Sequence, residues 1–414
     1  MDPEKFSPLE GSILKSRVSI VRTEGNDEKK IASAVRESIR LIGGLRDIVH
    51  PGDLVLIKPN LVAVPETRLS GAVTRWEVCR AIADMVMEIG AEPVIAESSA
   101  AGVNTEEVIQ AAGYQELRDQ GYQVLSLDDS PKAALPIPRG RVFPEVAVFE
   151  LVKRADVLIS VPVMKTHDQT EVTLSLKNMK GTLQDFQKKA FHKQGLLEAV
   201  VDLNERLKPA LTVIDGTFGQ EGLGPIFGSP VEMDLILASK DLVAADAVAG
   251  KIMGYDPEEV MITRKAAARG LGEMDLSRIE VQGLQIADVQ RRFKRACETS
   301  IPDLPPFELL LDEGACTGCR NTVISSIMDM KAQGLEGALE GKYIVAGPLE
   351  AARLPRDLRK EDIVLVGLCT KHLAEKGLGN YVQGCPPNNI FVVRGIVGED
   401  HQVERRYATE SGTD

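Results

Sequence analysis

Lys165, Thr166, His167 and Asp168 stand just beyond an apolar run, Val157 to Val161, closed by Pro162; Lys177, Asn178, Lys180 and Gly181 follow shortly after. Lysines and an amide hold an anion, and a histidine moves a proton near neutral pH, with Lys165 as its acid/base partner. The run is short and β-branched, so it reads as a buried strand that opens into a loop bearing these residues. In α/β folds, ligands lie beyond the carboxyl ends of the strands. Lys58 and Asn60, at the end of the strand predicted over Asp53–Leu61, add another cation and another amide. Lysines usually form a solvated face, but a solvated lysine needs no place behind a buried strand.

A second set of chemical residues is the cysteines. The chain has six: Cys79, Cys297, Cys316, Cys319, Cys369 and Cys385. Cys79 falls inside an apolar helical pattern and reads as a small core residue, and Cys297 as structural. Cys316 and Cys319 follow one predicted strand and Cys369 follows another, while Cys385 precedes the run Ile390–Val393. Thiolates gathered by such loops hold zinc or an iron–sulfur cluster. Zinc ribbons show two C-x2-C knuckles and ferredoxins one compact run, and neither pattern is present. The spacing favours one [4Fe–4S] cluster over zinc or no metal.

The elements that must position these residues alternate between strand and helix. Strands are predicted at Ser16–Thr23, Asp53–Leu61, Glu92–Ser99, Gln123–Leu127, Val146–Val152, Val157–Val161, Leu211–Asp215 and Leu235–Ala238. Helical stripes run over Lys29–Ile42, Arg75–Gly90, from Asn104, over Leu196–Leu207 and from Asp241 to Met253, and Asp256-Pro257-Glu258 is expected to open another. Gly216 to Gly228 is expected to be a turn-rich loop that lets backbone approach a ligand. Glu97, Asp215, Glu221 and Asp246 fall near strand ends, loops or helix starts, either as caps and turn formers or as groups that orient the lysines or bind a cation. His50, His192, His372 and His401 carry no assigned role.

This pattern predicts an α/β protein: a large, mostly parallel-sheet domain over 1–298, a Pro-rich linker over 299–307, a smaller flavodoxin-like α/β iron–sulfur domain over 308–400 and a polar tail over 401–414. The smaller domain has strand candidates at Glu308–Leu311, Tyr343–Ala346, Ile363–Gly367 and Ile390–Val393. A net charge of −12 argues against non-specific nucleic-acid binding. No run approaches the ~20 apolar residues of a membrane span, and no signal peptide is evident, so a cytoplasmic location is expected. Motifs of zinc proteases, P-loop enzymes and α/β-hydrolases do not occur.

The motifs also carry two resemblances. C-T-G-C at 316–319, G-L-C at 367–369 and G-C-P-P at 384–387 resemble the proximal-cluster domain shared by the small subunit of nickel–iron hydrogenase and its counterpart in respiratory complex I. That resemblance implies that Cys316, Cys319, Cys369 and Cys385 ligate one [4Fe–4S] cluster. The large-subunit partner of those families is not part of this chain, so hydrogenase activity does not follow.

The N-terminal domain resembles the family named domain of unknown function 362, through V-L-I-K-P-N-L at 55–61, E-S-S at 97–99, P-V-M-K-T-H at 162–167, L-K-N-M-K-G at 176–181, E-G-x-G-P at 221–225 and S-K-D-x-V-A-A-D at 239–246. The resemblance implies a cluster-associated protein of anaerobic metabolism and supplies no reaction. Three functions stay open. One is a redox enzyme or accessory protein whose anionic small-molecule substrate is held by Lys58, Asn60, Lys177, Asn178 and Lys180, with His167 as proton donor. The second is a non-redox isomerase or racemase using Lys165 and His167, with a structural or sensing cluster. The third is a non-catalytic electron-transfer subunit that docks on a redox partner protein.

Overall fold

The computed structural model describes residues 16–299, 303–355 and 357–398. The segment before Ser16, residues 300–302 of the expected linker, His401 and the polar tail lie outside them.

Two parallel-rich sheets organise the chain. The strands of the large sheet are β1 (Arg17–Arg22), β2 (Leu54–Pro59), β3 (Glu92–Glu97), β4 (Gln123–Ser126), β7 (Val157–Val161), β8 (Val163–His167), β9 (Glu171–Val172), β10 (Leu211–Glu221), β11 (Ser229–Ser239) and β12 (Glu280–Gly283). Their order is β12-β1-β11-β10-β7-β2-β3-β4, with β8 paired to β10 and β9 to β8. Pairings of β2, β3, β4, β7 and β10 along this path are parallel, and β11 lies antiparallel to both β1 and β10. A separate antiparallel pair, β5 (Lys132–Pro136) and β6 (Glu145–Phe149), flanks it.

Alternation along β2 explains the layering. Val55 and Ile57 enter one core, with Ile31, Val35 and Ile39 of the Glu28–Leu41 helix and Val78, Ile82 and Val86 of the Trp76–Met87 helix. Leu56 enters the opposite core, with Val200 of the Leu196–Leu207 helix and Val248 of the Leu242–Ile252 helix. Side chains of period two therefore feed helices on both faces. Asn104 and Asp241 cap helices as their sequence positions imply, each accepting two backbone N–H groups.

The smaller sheet contains β13 (Glu308–Leu311), β14 (Tyr343–Ala346), β15 (Ile363–Val366) and β16 (Asn380–Val382), all parallel and in chain order. A flavodoxin sheet reverses its order at the second strand. The likeness here extends to an all-parallel sheet in which the segments after β13, β15 and β16 carry the four cysteines, Cys319 in the first turn of the Thr317–Ala332 helix and not in a loop.

Several local expectations are corrected. Lys165, Thr166 and His167 lie on β8, not in a loop, and Lys177 and Asn178 end a short helix, Leu174–Asn178. The glycine-rich stretch divides: 216–221 belong to β10, paired with a β11 that begins at Ser229, and 222–228 turn as expected. Its glycines admit a crossing chain: Gly71, at φ 69°, lies so close to the Gly219 carbonyl that a Cβ would overlap it. The helix expected at Asp256 begins at Met261, because Asp256-Pro257-Glu258 form a turn. The strand predicted over Val146–Val152 ends at Phe149, and a helix follows. Ile390–Val393 is helical: Asn388 caps the Asn389–Val397 helix through the Ile390 N–H, and Val392, Val393 and Ile396 are buried. Short apolar runs do not distinguish strand from buried helix.

Gly71→Ala is expected to lower stability by roughly 1–3 kcal/mol through backbone strain and overlap. Gly52→Ala, also at positive φ but facing open space, should cost less. Denaturant unfolding of both variants measures the difference, and equal midpoints would contradict it.

Candidate functional site

The carboxyl ends of β2, β3 and β7 meet the Leu174–Asn178 helix around one buried ion pair. Lys58 Nζ donates to Glu97 Oε2 at 2.7 Å, to the Pro59 carbonyl at 2.8 Å and to Asn178 Oδ1 at 3.2 Å. Glu97 also accepts from Leu61 N at 3.1 Å and Ser98 N at 2.9 Å. Asn178 donates back to the Lys58 carbonyl and to Ser160 Oγ, and Asn60 Nδ2 donates to Asn178 Oδ1. Both charged side chains are almost wholly buried. Burial pulls the Lys58 pKa down, and Glu97 opposes it. Gly181 covers this pair so closely that a Cβ would overlap the Glu97 carboxylate.

Beside it lies a cavity of about 130 Å³, room for roughly four water molecules. Asn60, His167, Lys177, Asn178 and Lys180 line it; Lys58 and Lys165 do not. Lys165 is turned inward, donating to the carbonyls of Ala72 at 2.5 Å and Pro225 at 3.1 Å, and burial holds its pKa well below the usual lysine range. Lys58 acts as a strut and Lys188 is held by the Ser98 and Ser99 carbonyls, so the cations left facing the cavity are Lys177, Lys180 and the exposed Lys189. Lys177 is half-buried and makes no hydrogen bond or ion pair among the described residues. Burial lowers its pKa to about 8, against the pull of Asp168. Lys180 Nζ lies 2.6 Å from His192 Nε2.

His167 Nδ1 lies 2.9 Å from Asp168 Oδ1 and 3.0 Å from Gln169 N. Nδ1 cannot donate to the first and accept from the second at once. The hydrogen bond is the one from the Gln169 N–H, which always carries its proton, so Nδ1 accepts and the neutral ring holds its own proton on Nε2. Burial and three nearby lysines hold the His167 pKa well below its ordinary value, which keeps the ring neutral. Burial raises Asp168 to about 6, opposed by a hydrogen bond from Ser325 and by Lys177. Asp168 is therefore the group of this pair that titrates near neutrality.

Of the other carboxylates, Asp215 accepts from Arg75 N at the start of the Trp76–Met87 helix, and Asp246 from Ser175 N and Leu176 N. Glu221 accepts from Lys294 N. Asp168, Lys188 and His192 were passed over as site residues. Only the first had a sequence signal, its place next to His167. Lys188 is buried on the Ser98 and Ser99 carbonyls, and His192 reaches the cavity through the fold alone.

The thiol-bearing edge of the small sheet abuts this cavity. Its Asn388, Asn389, Phe391 and Ser325 form part of the wall. Cys385 is bonded to the large-sheet half through its main chain, donating to the His192 carbonyl at 3.1 Å and accepting from Leu196 N at 2.9 Å, and Gln169 Nε2 donates to the Pro387 carbonyl at 2.9 Å. Loops also bond across the edge: Leu368 N donates to the Gly384 carbonyl, and a Cβ on Gly367 would lie 2.9 Å from Cys319 Sγ. The four thiols feel one another's charge. Cys316 lies below the ordinary thiol range, through hydrogen bonds from Cys319 and from the amides at its helix start, and burial raises Cys369 and Cys385. Among the described residues, no three His, Cys, Asp or Glu side chains are grouped closely enough to hold a single metal ion.

These features define an α/β protein with a cation-lined cavity at its strand ends. The chain belongs to the family described as Domain of unknown function (DUF362), whose model matches residues 55–251. It is 31% identical over 272 residues to Thylakoid-associated protein sll1697 of Synechocystis sp., covering 62% of this chain and 79% of that one. The small sheet lies outside the family match. Among solved structures, the lactate racemase apoprotein from Thermoanaerobacterium thermosaccharolyticum overlaps 93% of this chain and 91% of its own, with 10% identity and a TM-score of 0.37, a degree of overlap that says nothing of function. No helix among the described residues is long and apolar enough to cross a membrane.

Two outcomes are expected. Lys58→Met leaves Glu97 buried without its cation and should cost about 3–5 kcal/mol in denaturant unfolding; an unchanged midpoint would show that the pair is dispensable. Sulfate, whose charge is constant over the range, should bind most tightly below pH 6. Its affinity should fall as Asp168 ionises near 6 and again as Lys177 loses its proton near 8, by roughly tenfold per step. Calorimetric titration at several pH values reads both steps, and an affinity that rises with pH would contradict the assignment.

Proposed function

We propose that the chain is a cytoplasmic iron–sulfur protein, a redox enzyme or redox accessory protein acting on a small anionic molecule held in the cavity. The observation that carries this reading is that one cavity is walled both by His167, Asp168 and Lys177 and by Asn388, Asn389 and Phe391, which follow Cys385 closely in the chain. Cys316, Cys319, Cys369 and Cys385 would hold the cluster. Four thiols that follow three strands of one sheet, at its carboxyl edge, are the ligand type such a cluster takes. When bound, such a cluster exchanges single electrons. Free thiols at these positions belong in a reducing compartment, which supports the cytoplasmic location.

The chain's own residues have separate tasks in this reading. Lys177 and Lys180 hold the anion, with Asn60 and Asn178 beside them. His167 and Asp168 act as a unit: the neutral ring meets the bound molecule, and Asp168 stores or releases the proton. Lys58 and Lys165 hold the framework. The apolar side of the cavity, with Val62, Ile226 and Phe391, takes the carbon body of the ligand and excludes water. A purely acid/base reaction is the second reading, favoured by Asp168 and Lys177 titrating on either side of neutrality.

Anaerobically purified chain should contain iron and sulfide in equal amounts, with a paramagnetic signal appearing on dithionite reduction; zinc, or no iron, would overturn the cluster reading. His167→Ala should keep the cluster absorbance and lose turnover in a screen of small carboxylates and phosphates with a viologen electron donor. Cys369→Ser should lose both. Turnover that survives in Cys369→Ser moves the assignment to the acid/base reading.

A further inference from the structure

The Thr317–Ala332 helix presents a polar stripe to the large-sheet half. Thr317, Asn321 and Ser325 recur every fourth residue and so share one face. Gly318, on the same face, lies against the Gln169 carbonyl. At one end Ser325 lines the cavity and bonds to Asp168. At the other, exposed Thr317 bonds to Glu171, whose second carboxylate oxygen is buried and has no protein partner. Between them Asn321 is wholly buried, and neither its amide oxygen nor its amide nitrogen is bonded; the neighbouring Thr322 hydroxyl is in the same condition. An apolar residue would fill this seam at less cost. Buried amides and hydroxyls without protein partners are normally met by internal water.

We infer that this seam holds a file of internal water linking the His167–Asp168 pair to solvent near Thr317 and Glu171, with Asn321 and Ser325 as its positioning residues. The use assigned to it rests on the proposed function. Once a ligand fills the cavity, the pair is cut off from bulk solvent on that side. Its proton then needs a second route, and the stripe runs from Asp168 to the exposed end of the helix. Asn321 carries no proton itself; its amide offers both donors and an acceptor to water.

The test uses the full chain with ¹⁵N-labelled histidine. The readout is the exchange of the His167 ring proton with water, measured by NMR with the cavity filled by sulfate. Asn321→Leu, of similar size, should slow exchange about tenfold or more, while sulfate affinity stays unchanged. Ser325→Ala should slow it too, and Thr322→Val gives a second view of the seam where Asn321→Leu folds poorly. Exchange at the native rate in folded Asn321→Leu, or in Thr322→Val and Ser325→Ala together, overturns the file. If sulfate does not bind the native chain, the anion reading fails; magnetisation transfer from water to the Asn321 side-chain amide then decides the water file, its presence supporting the file and its absence overturning it.

Discussion

The buried pair of Lys58 and Glu97 is the constraint on which the site depends. Taking both charges out of water is expensive, and attraction alone rarely compensates. Here each charge is also fully occupied by neighbours: a carbonyl and an amide oxygen on the lysine, two backbone N–H groups on the carboxylate. The pair therefore ties together the ends of β2 and β3, the turn after each and the helix carrying Lys177 and Asn178. Gly181 closes over it because nothing larger fits. A lysine used this way is lost to ligand binding, and the work of holding an anion passes to its neighbours at the cavity wall.

Burial then sorts the remaining ionisable groups by role. Lys165 is satisfied by two carbonyls and faces inward. His167 is kept neutral by burial and by lysines around it, and its neighbour Asp168 is lifted into the range where protons move. Lys177 is lowered towards neutrality from the other side. The same low-dielectric surroundings thus bring an acid and a base close together on the pH scale, as general acid/base chemistry requires. That these groups share a wall with the segment following Cys385 joins the two chemically distinct parts of the chain into one place.

Much of this was legible in the sequence. Alternating and helical apolar patterns located β2, β3 and β7 and the helices that cover them, and residues near strand ends did collect at one edge. The direction in which each lysine points was not legible. Lys58 finds its partner 39 residues away, and only tertiary packing decides whether it meets Glu97 or a ligand. Glycines misled in the opposite sense: in β10 they permit close chain crossing and not a loose loop. The Ile390–Val393 run was ambiguous because four apolar residues suit either a strand or a buried helix, and the capping Asn388 was the signal that could have decided it. His192 and Lys188 had no local signal at all.

The main-chain bonds from Cys385 to His192 and Leu196 also bear on how the molecule is made. The last cysteine to be synthesised is anchored on a helical corner translated far earlier. Domains emerging first from the ribosome generally fold first. The cradle for the thiol edge is thus built while the residues that will occupy it are still being added, and the loop bearing Cys385 docks onto a surface already in place. Because that anchorage runs through peptide groups, it depends on the path of the backbone and little on which side chains occupy the corner.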